Sequence, residues 1–419
     1  MRRAGRAAGG RASAVPRGRA IITAACLGAL LAGCGPAPTA GRGPSAPAPG
    51  GAPAAGPAAS TGTPARTPAA GPAEFPDLID LAGPGFGLAG LGTGPQTGAS
   101  ARLVASANFG RSFTAIGPRT AAWTVTDDVF FLGRQHGWYA VFNVNTLAET
   151  LYRTTDGGRT WHAFAAPGHN EADGSRDIVQ FLTPARGWLT STSATAPAEG
   201  LYATADGGTS WHLVASLQPA PGAGHLPELG QVTFEPGGTT GWLGGGICSR
   251  ALYQTRDGGR TWRQAGIPAP AGAQFGLPAS WGRTVLEPVT LPSGTLILDR
   301  STDGGTRWSQ ISALPGAATV RSACIPAVSV SFPSPHDGWA TAARTGRTVI
   351  YRTTDGGRHW AKIASSWPVP PDTGTQPVIQ STDTAHAWLL TAGNRQFYAT
   401  ASAGTTWRRI DPAAIAAGS

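Results

Sequence analysis

Short apolar stretches alternate with polar, glycine-rich turns over residues 76–412 of the chain. In one representative unit these stretches predict four strands, namely A (Val179–Leu182), B (Trp188–Ser191), C (Gly200–Thr204) and D (Trp211–Ala215). Runs of four or five such residues, bounded by turn residues, are typical of β-strands. The pattern therefore predicts an all-β domain.

One phrase recurs seven times in the turn between strands C and D. A full copy reads Thr154-Thr155-Asp156-Gly157-Gly158-Arg159-Thr160-Trp161, and the acid position returns every 46 to 52 residues. That interval fits one propeller blade of four strands and their turns. The seven acid positions, of which the first and last lie in degenerate copies, are Asn108, Asp156, Asp206, Asp257, Asp303, Asp355 and Ser402.

A second signature, Gly-Trp at the start of strand B, precedes the phrase in most units. Clear copies are Gly137-Trp138, Gly187-Trp188, Gly241-Trp242 and Gly338-Trp339, and we place Gly85-Phe86, Trp281 and Trp388 at the same position. Because an isolated blade leaves its faces and edges uncovered, seven units predict a closed seven-bladed β-propeller with four-stranded antiparallel blades. Each blade is expected to be complete in itself, with strand exchange between the termini as the alternative.

The chemistry of the repeated turn predicts a structural role for its acid. The Ser or Thr hydroxyl and the Asp carboxylate accept backbone N–H groups of the turn, and the glycines supply backbone conformations that a Cβ would obstruct. The Trp that ends the phrase is expected to turn inward and cover apolar surface between sheets. The alternative is calcium binding, but one carboxylate per turn makes a poor oxygen cage, so we expect no metal.

With these residues the chain resembles the Asp-box, or bacterial neuraminidase repeat, superfamily, and within it the photosystem II assembly and stability factor type of propeller. The resemblance covers the chain after residue 75 and implies the propeller and its box turns. It also implies a protein that holds a client membrane protein. Nothing in the sequence indicates photosynthesis, so only the expectation of a binding scaffold carries over, because the matched residues build turns.

A sialidase is a poor match within that superfamily. Resemblance to one would imply six blades, an Arg-Ile-Pro motif and a tyrosine nucleophile. The Ile-Pro pairs, Ile267-Pro268 and Ile325-Pro326, lack a preceding arginine, and the six tyrosines recur at repeat positions. A glycoside hydrolase that uses two carboxylates about 5 to 9.5 Å apart remains the alternative to a non-catalytic scaffold.

Candidate ligand-binding residues lie on the face opposite the boxes, where strands B and C and successive blades are connected. They are His169, Glu171, Asp173, Arg176 and Asp177 in a polar connection, and Glu287 within a strand-like run. A metal or sugar site and an ordinary hydrated loop are both compatible with this pattern.

Two cysteines, Cys248 and Cys324, fall on the same face. A disulfide is permitted in an exported protein, and in the chain-entropy model it would contribute roughly 4 kcal/mol. Two separate buried thiols are the alternative.

The N-terminal region predicts export and a lipid anchor. Residues 1–33 form an arginine-rich and then apolar signal peptide that ends in Leu31-Ala32-Gly33 before Cys34, which resembles a bacterial lipobox. The alternative is an ordinary secretory signal with an incidental cysteine. Residues 34–75, beginning with the lipidated cysteine, form a disordered spacer rich in Pro, Ala and Gly, and residues 413–419 form a disordered tail.

Net charge changes the functional picture little. The formal charge is +9, but six arginines precede Cys34, and without them 26 basic residues face 23 acidic ones, so nucleic-acid binding is not indicated. Arginines on the box face could serve either a partner or solubility. We therefore expect a monomeric, non-catalytic scaffold without a cofactor on the outer face of the cell membrane. It would touch the membrane only through its lipid and bind a protein or glycan of the envelope.

Overall fold

Seven antiparallel sheets arranged as a seven-bladed β-propeller make up the described part of the chain. The computed structural model describes residues 75–83, 85–92, 100–164, 176–192, 200–216, 231–244, 249–316, 328–344, 347–363, 377–391, 396–411 and 415. Within these residues, no helix is long and apolar enough to cross a bilayer.

Blades one to three each contain four strands that follow one another in the chain. Their strands are β1 (Phe75–Gly83), β2 (Phe86–Gly92), β3 (Arg102–Ser106) and β4 (Thr114–Ala115); β5 (Thr124–Leu132), β6 (His136–Asn143), β7 (Glu149–Thr154) and β8 (His162–Phe164); β9 (Arg176–Phe181), β10 (Gly187–Thr192), β11 (Gly200–Thr204) and β12 (His212–Ser216).

Blades four to seven follow the same order, with one additional short strand in blade five. Their strands are β13 (Gln231–Phe234), β14 (Gly241–Gly244), β15 (Tyr253–Thr255) and β16 (Arg263–Gln264); β17 (Gln274–Phe275), β18 (Ala279–Trp281), β19 (Thr284–Thr290), β20 (Leu296–Ser301) and β21 (Ser309–Ala313); β22 (Val328–Ser331), β23 (Gly338–Arg344), β24 (Arg347–Thr353) and β25 (Ala361–Lys362); β26 (Val378–Ser381), β27 (Ala387–Thr391), β28 (Gln396–Thr400) and β29 (Arg408–Ile410).

The ring closes between blades seven and one without a shared strand, because each described sheet is built from consecutive strands. Gln380 joins the two inner strands at this seam: its Oε1 accepts the Leu81 N–H (2.6 Å) and its Nε2 donates to the Ile79 carbonyl (3.0 Å). Trp388 from blade seven packs into a buried cluster with Ile79 and Leu81. Closure therefore depends on side-chain hydrogen bonds and apolar packing, as expected for blades that are complete in themselves.

Polar side chains bridge other inner strands in the same way. Val179 N–H donates to Asp128 Oδ2 (3.2 Å), which ties blade three to blade two. Ser381 N–H donates to Ser331 Oγ (3.0 Å) between blades seven and six. An inner strand that faces a neighbouring blade thus satisfies backbone groups that its own sheet cannot reach.

Aromatic rings fill the spaces between blades. Trp138 of blade two stacks on Phe181 of blade three, with centroids 3.5 Å apart and planes 8° from parallel. Trp211, which ends the box of blade three, meets the same ring edge-on at 6.0 Å. The Gly-Trp indole therefore packs toward the following blade, and the box indole covers the junction with the preceding one.

Two assignments to the Gly-Trp position are wrong. Strand register puts Trp188 opposite Ala203, one residue before the box, and the equivalent residues are Leu88 in blade one and Leu286 in blade five. Phe86 lies two residues earlier in β2, and Trp281 ends β18, before strand B begins. Leucine takes the tryptophan's place in both blades, so residue type did not reveal the register.

The inner strand of blade five is divided into β17 and β18, both of which pair with β19. Pro278 lies in the gap, and Pro288 lies on the partner strand. Proline has no backbone N–H, so neither residue can donate a ladder hydrogen bond. The Pro288 carbonyl instead accepts the Gly276 N–H (3.0 Å).

Candidate functional site

The carboxylate of each full box is directed into its own turn. In blade two, Thr154 Oγ1 donates to Asp156 Oδ1 (2.8 Å) and accepts the Gly158 N–H (2.9 Å). Thr160 donates both its N–H (2.9 Å) and its hydroxyl (2.6 Å) to Asp156. In the other six boxes, the backbone N–H four residues after the acid position likewise donates to the side-chain oxygen at that position, namely in Asn108, Asp206, Asp257, Asp303, Asp355 and Ser402.

Hydrogen bonding keeps the box acids ionised. The hydroxyl and N–H of Thr160 lower the pKa of Asp156 to about 2, and Thr261 does the same for Asp257. Burial raises the pKa of Asp355, but the N–H and imidazole of His359 outweigh it and bring the value to about 2. A carboxylate held in this way has its charge stabilised within the turn.

Arginines on the box face also bond to the turns. Arg153 Nη1 donates to the Asp206 and Gly207 carbonyls (3.2 and 3.0 Å) in the box of the next blade. Arg256 Nη2 likewise donates to the Gly304 carbonyl (3.3 Å) in the box of the next blade. These guanidinium groups connect neighbouring blades, so part of the arginine pattern on this face serves the fold.

Most of the candidate ligand and cysteine positions lie outside the described residues. His169, Glu171, Asp173, Cys34, Cys248 and Cys324 belong to this group. Arg176 is the first residue of β9. Asp177 follows it, opposite Ser191, and is fully buried. Burial raises the pKa of Tyr202, and the negative charge of Asp177 adds to the rise.

Glu287 lies in β19, the second strand of the irregular blade five, and is buried together with a second acid. Its cross-strand partner is Asp299 in β20, and the two side chains are 0% and 2% exposed. Directly opposed residues on neighbouring strands point to the same face of a sheet. The sequence analysis singled out Glu287 but not Asp299, because pairing across strands depends on register.

The environment of this pair is apolar and disfavours charge. Val285 and Val289 alternate with Glu287 along β19 and pack in a cluster with Trp242 of blade four. Burial raises the pKa of Glu287 well above its ordinary range; the nearby Gly276 N–H opposes the rise, and Asp299 increases it. Burial also raises the pKa of Asp299 to about 6.

This arrangement can retain a proton but cannot meet a polymer chain. Neither carboxylate oxygen of Glu287 accepts a well-formed hydrogen bond within the described residues. Two enclosed carboxyls on adjacent strands of one sheet are expected to titrate as a coupled pair. Catalytic acids must flank a bound substrate, which these enclosed side chains do not do.

The face opposite the box turns carries two exposed apolar residues that the sequence analysis missed. Trp123, just before β5, is 39% exposed, and Leu147, in the turn between β6 and β7, is 44% exposed. Both have left-handed backbone conformations, with φ of 63° and 59°. Such a conformation costs about 1–3 kcal/mol for a residue other than glycine and persists only where the surroundings hold it.

Hydrogen bonds hold both backbones in place. Val144 N–H donates to the Trp123 carbonyl (2.9 Å), and Asn143 Nδ2 donates to the Ala122 carbonyl (3.1 Å). Leu147 N–H donates to the Asn143 carbonyl (2.9 Å). We call Trp123, Leu147 and the turn residues 143–146 the loop-face platform. A positive φ at a tryptophan has no signature in composition or periodicity, which explains why the sequence analysis did not find it.

Comparison with known proteins supports the repeat and the fold. The BNR/Asp-box repeat model matches residues 152–163, which include the box of blade two. No curated protein sequence matches the chain.

Solved structures with a similar shape have diverse activities. A GH74 xyloglucanase from Xanthomonas campestris is 17% identical, with a TM-score of 0.54 over 83% of this chain and 55% of that one. A puromycin hydrolase is 13% identical, with a TM-score of 0.51 over 81% and 55%. The chain thus spans about half the length of either enzyme, and the likeness shows the fold alone.

A looser likeness is found to YCF48 bound to a D1 peptide. It is 14% identical, with a TM-score of 0.46 over 82% of this chain and 93% of that one. This level of similarity does not bear on function.

Proposed function

We propose that the chain is an exported, lipid-anchored propeller that binds a protein or glycan of the cell envelope without altering it chemically. The observation that carries this proposal is the loop-face platform, where two large apolar side chains stand in solvent on a fixed backbone. Exposed apolar side chains on a rigid scaffold are typical of binding surfaces.

The enclosed acid pair favours binding over hydrolysis. A glycoside hydrolase needs two carboxyls on either side of the scissile bond. Burial raises the pKa of both Glu287 and Asp299, and the two acids are buried between blades four and five. The box acids are already engaged in their own turns. A non-catalytic scaffold is consistent with both facts.

Anchoring and export are parts of the same proposal and depend on residues 1–75. Cys34 would carry the lipid, and residues 35–75 would separate the propeller from the membrane. Two or more acyl chains make such anchoring stable. Growth with a labelled fatty acid should label the full chain but not its Cys34→Ser variant, and a chain released to the medium without label would overturn the anchor.

The binding function is tested with the full chain in detergent. The immobilised protein is exposed to envelope extracts and to a panel of polysaccharides, and released reducing sugar is measured in parallel. We expect at least one component to be retained with no release of sugar. Sugar release above that of a heat-denatured control, or retention of nothing from any fraction, would overturn the proposal.

A further inference from the structure

Four described residues other than glycine have a positive φ, and two of them are explained by the repeat. Phe109 and Ala403 stand where the full boxes have their first glycine, such as Gly157, so the turn itself requires this conformation. Trp123 and Leu147 lie outside the boxes. Leu147 takes its positive φ at the end of the β6–β7 hairpin turn, where its N–H donates to the Asn143 carbonyl (2.9 Å), so Trp123 is the one of the two whose conformation no blade turn explains.

The same two residues are also two of the three large apolar side chains that are exposed in the described part of the chain. The third, Leu213, is 54% exposed on β12, the outer strand of blade three, and is not among the residues with a positive φ. Strain and apolar exposure both oppose stability, yet they coincide at Trp123 and Leu147. Strained backbone that the surroundings maintain is concentrated at functional sites.

The frame around the platform is rigid. Asn143 Oδ1 accepts the N–H groups of Asn145 and Thr146 (3.0 Å each), which closes the turn that presents Leu147. On the other side, Thr124 Oγ1 accepts the Ala101 N–H (2.8 Å) and donates to the Ala121 carbonyl (2.8 Å). A ligand would meet a surface that is already ordered, so little entropy is lost on binding.

We propose that the loop-face platform binds a neutral polysaccharide by stacking a sugar ring on the Trp123 indole, with Leu147 extending the apolar contact. A pyranose ring has an apolar face of C–H groups and a rim of hydroxyls. The turn whose Val144 N–H bonds to the Trp123 carbonyl also carries Asn145 and Thr146, both exposed, and an amide and a hydroxyl of this kind match such a rim.

Charge and size both favour this ligand. In residues 117–124 and 143–149, Arg119 and Glu149 are the charged side chains, one of each sign, so this stretch presents no like-charged cluster to a polyanion or to a strongly charged protein. A stable protein partner covers roughly 800 Å² on each side. Two apolar side chains with a few uncharged polar groups form a contact surface suited to a sugar unit rather than to a protein interface of that area.

This inference rests on the proposed binding function and names its site and ligand class. The full chain is titrated with soluble neutral polysaccharides (a β-glucan, a mannan and a xylan) and with a charged one (hyaluronan), with affinity followed by calorimetry. We expect binding to at least one neutral polymer. Trp123→Ala should weaken it roughly tenfold or more, and Leu147→Ala less, because stacking provides most of the contact.

Matched variants separate binding from folding. Leu213→Ala removes an exposed apolar side chain elsewhere and should leave the affinity unchanged, and Trp123→Phe should retain most of it. Trp123→Gly removes the indole and relaxes the backbone, so it should raise Tm while abolishing binding. A merely structural tryptophan would not produce opposite changes in stability and affinity.

The possible outcomes are distinct. Neutral polymer bound equally by Trp123→Ala and the parent chain would overturn the inference. Retention of an envelope protein or of hyaluronan alone would also overturn it, while leaving the proposed function standing. Failure to retain any envelope component would overturn both.

Discussion

Replacing Asp299 with Asn removes a titrating group from the interface between blades four and five while keeping the size of the side chain. Both carboxyls of the Glu287 and Asp299 pair have a higher pKa in the folded chain than in the unfolded one. The folded state therefore binds protons more tightly. The stability gained in this way is complete below about pH 4 and is lost as the pH rises through 6 and above.

The size of the effect follows from the pKa of Asp299. Its rise from 3.8 to about 6 corresponds to at most about 3 kcal/mol, at ~1.4 kcal/mol per pH unit. Solvent screening and coupling to Glu287 reduce this figure, so we expect the parent chain to lose about 1–2 kcal/mol of unfolding free energy between pH 4.5 and 7. The box acids act in the opposite direction, but only below their ordinary pKa of 3.8.

Urea denaturation of the full chain at several pH values between 4.5 and 7 measures this slope. Asp299→Asn should flatten it and make the protein more stable than the parent at pH 7 by about 1–2 kcal/mol, since a neutral amide replaces a buried acid. Asp411→Asn, at an exposed position after the last strand, is the control. A parent chain whose stability is constant or increases over this range would refute the reasoning, as would an Asp299→Asn protein that is less stable at pH 7.

Three substitutions test the fold by the same measurement. Thr154→Val leaves the Gly158 N–H without its partner (2.9 Å) and should cost about 1–3 kcal/mol; no change would contradict a structural role for the box hydroxyl. Gln380→Leu removes both side-chain bonds at the seam and should cost a similar amount, whereas an unchanged midpoint would show that packing alone closes the ring. Gly357→Ala should cost at least about 2 kcal/mol, because φ is +83° and the new Cβ would lie 2.1 Å from Leu298 Cδ2; tolerance would contradict this tight approach.

The repeat made the ring predictable because each unit encodes the same local solution. Box turns and indoles recur at blade intervals, so the number of sheets and the order of strands follow from the sequence. The strand register of blade five could not be predicted from the sequence, since Leu286 takes the tryptophan's place and prolines divide the inner strand. The pairing of Glu287 with Asp299 was hidden for the same reason, because facing partners are set by register rather than by residue type.

Function in this fold is expected where the chain departs from its own repeat. The seven boxes use their hydroxyls and acids to satisfy turn N–H groups, and arginines such as Arg153 bond to the next turn, so these groups serve the fold. Trp123 and Leu147 have no counterpart in the repeat and oppose stability by both strain and exposure. An exposed indole on a strained backbone that no box requires is best explained by what it binds, so substitution of Trp123 should separate binding from stability more cleanly than substitutions in any box.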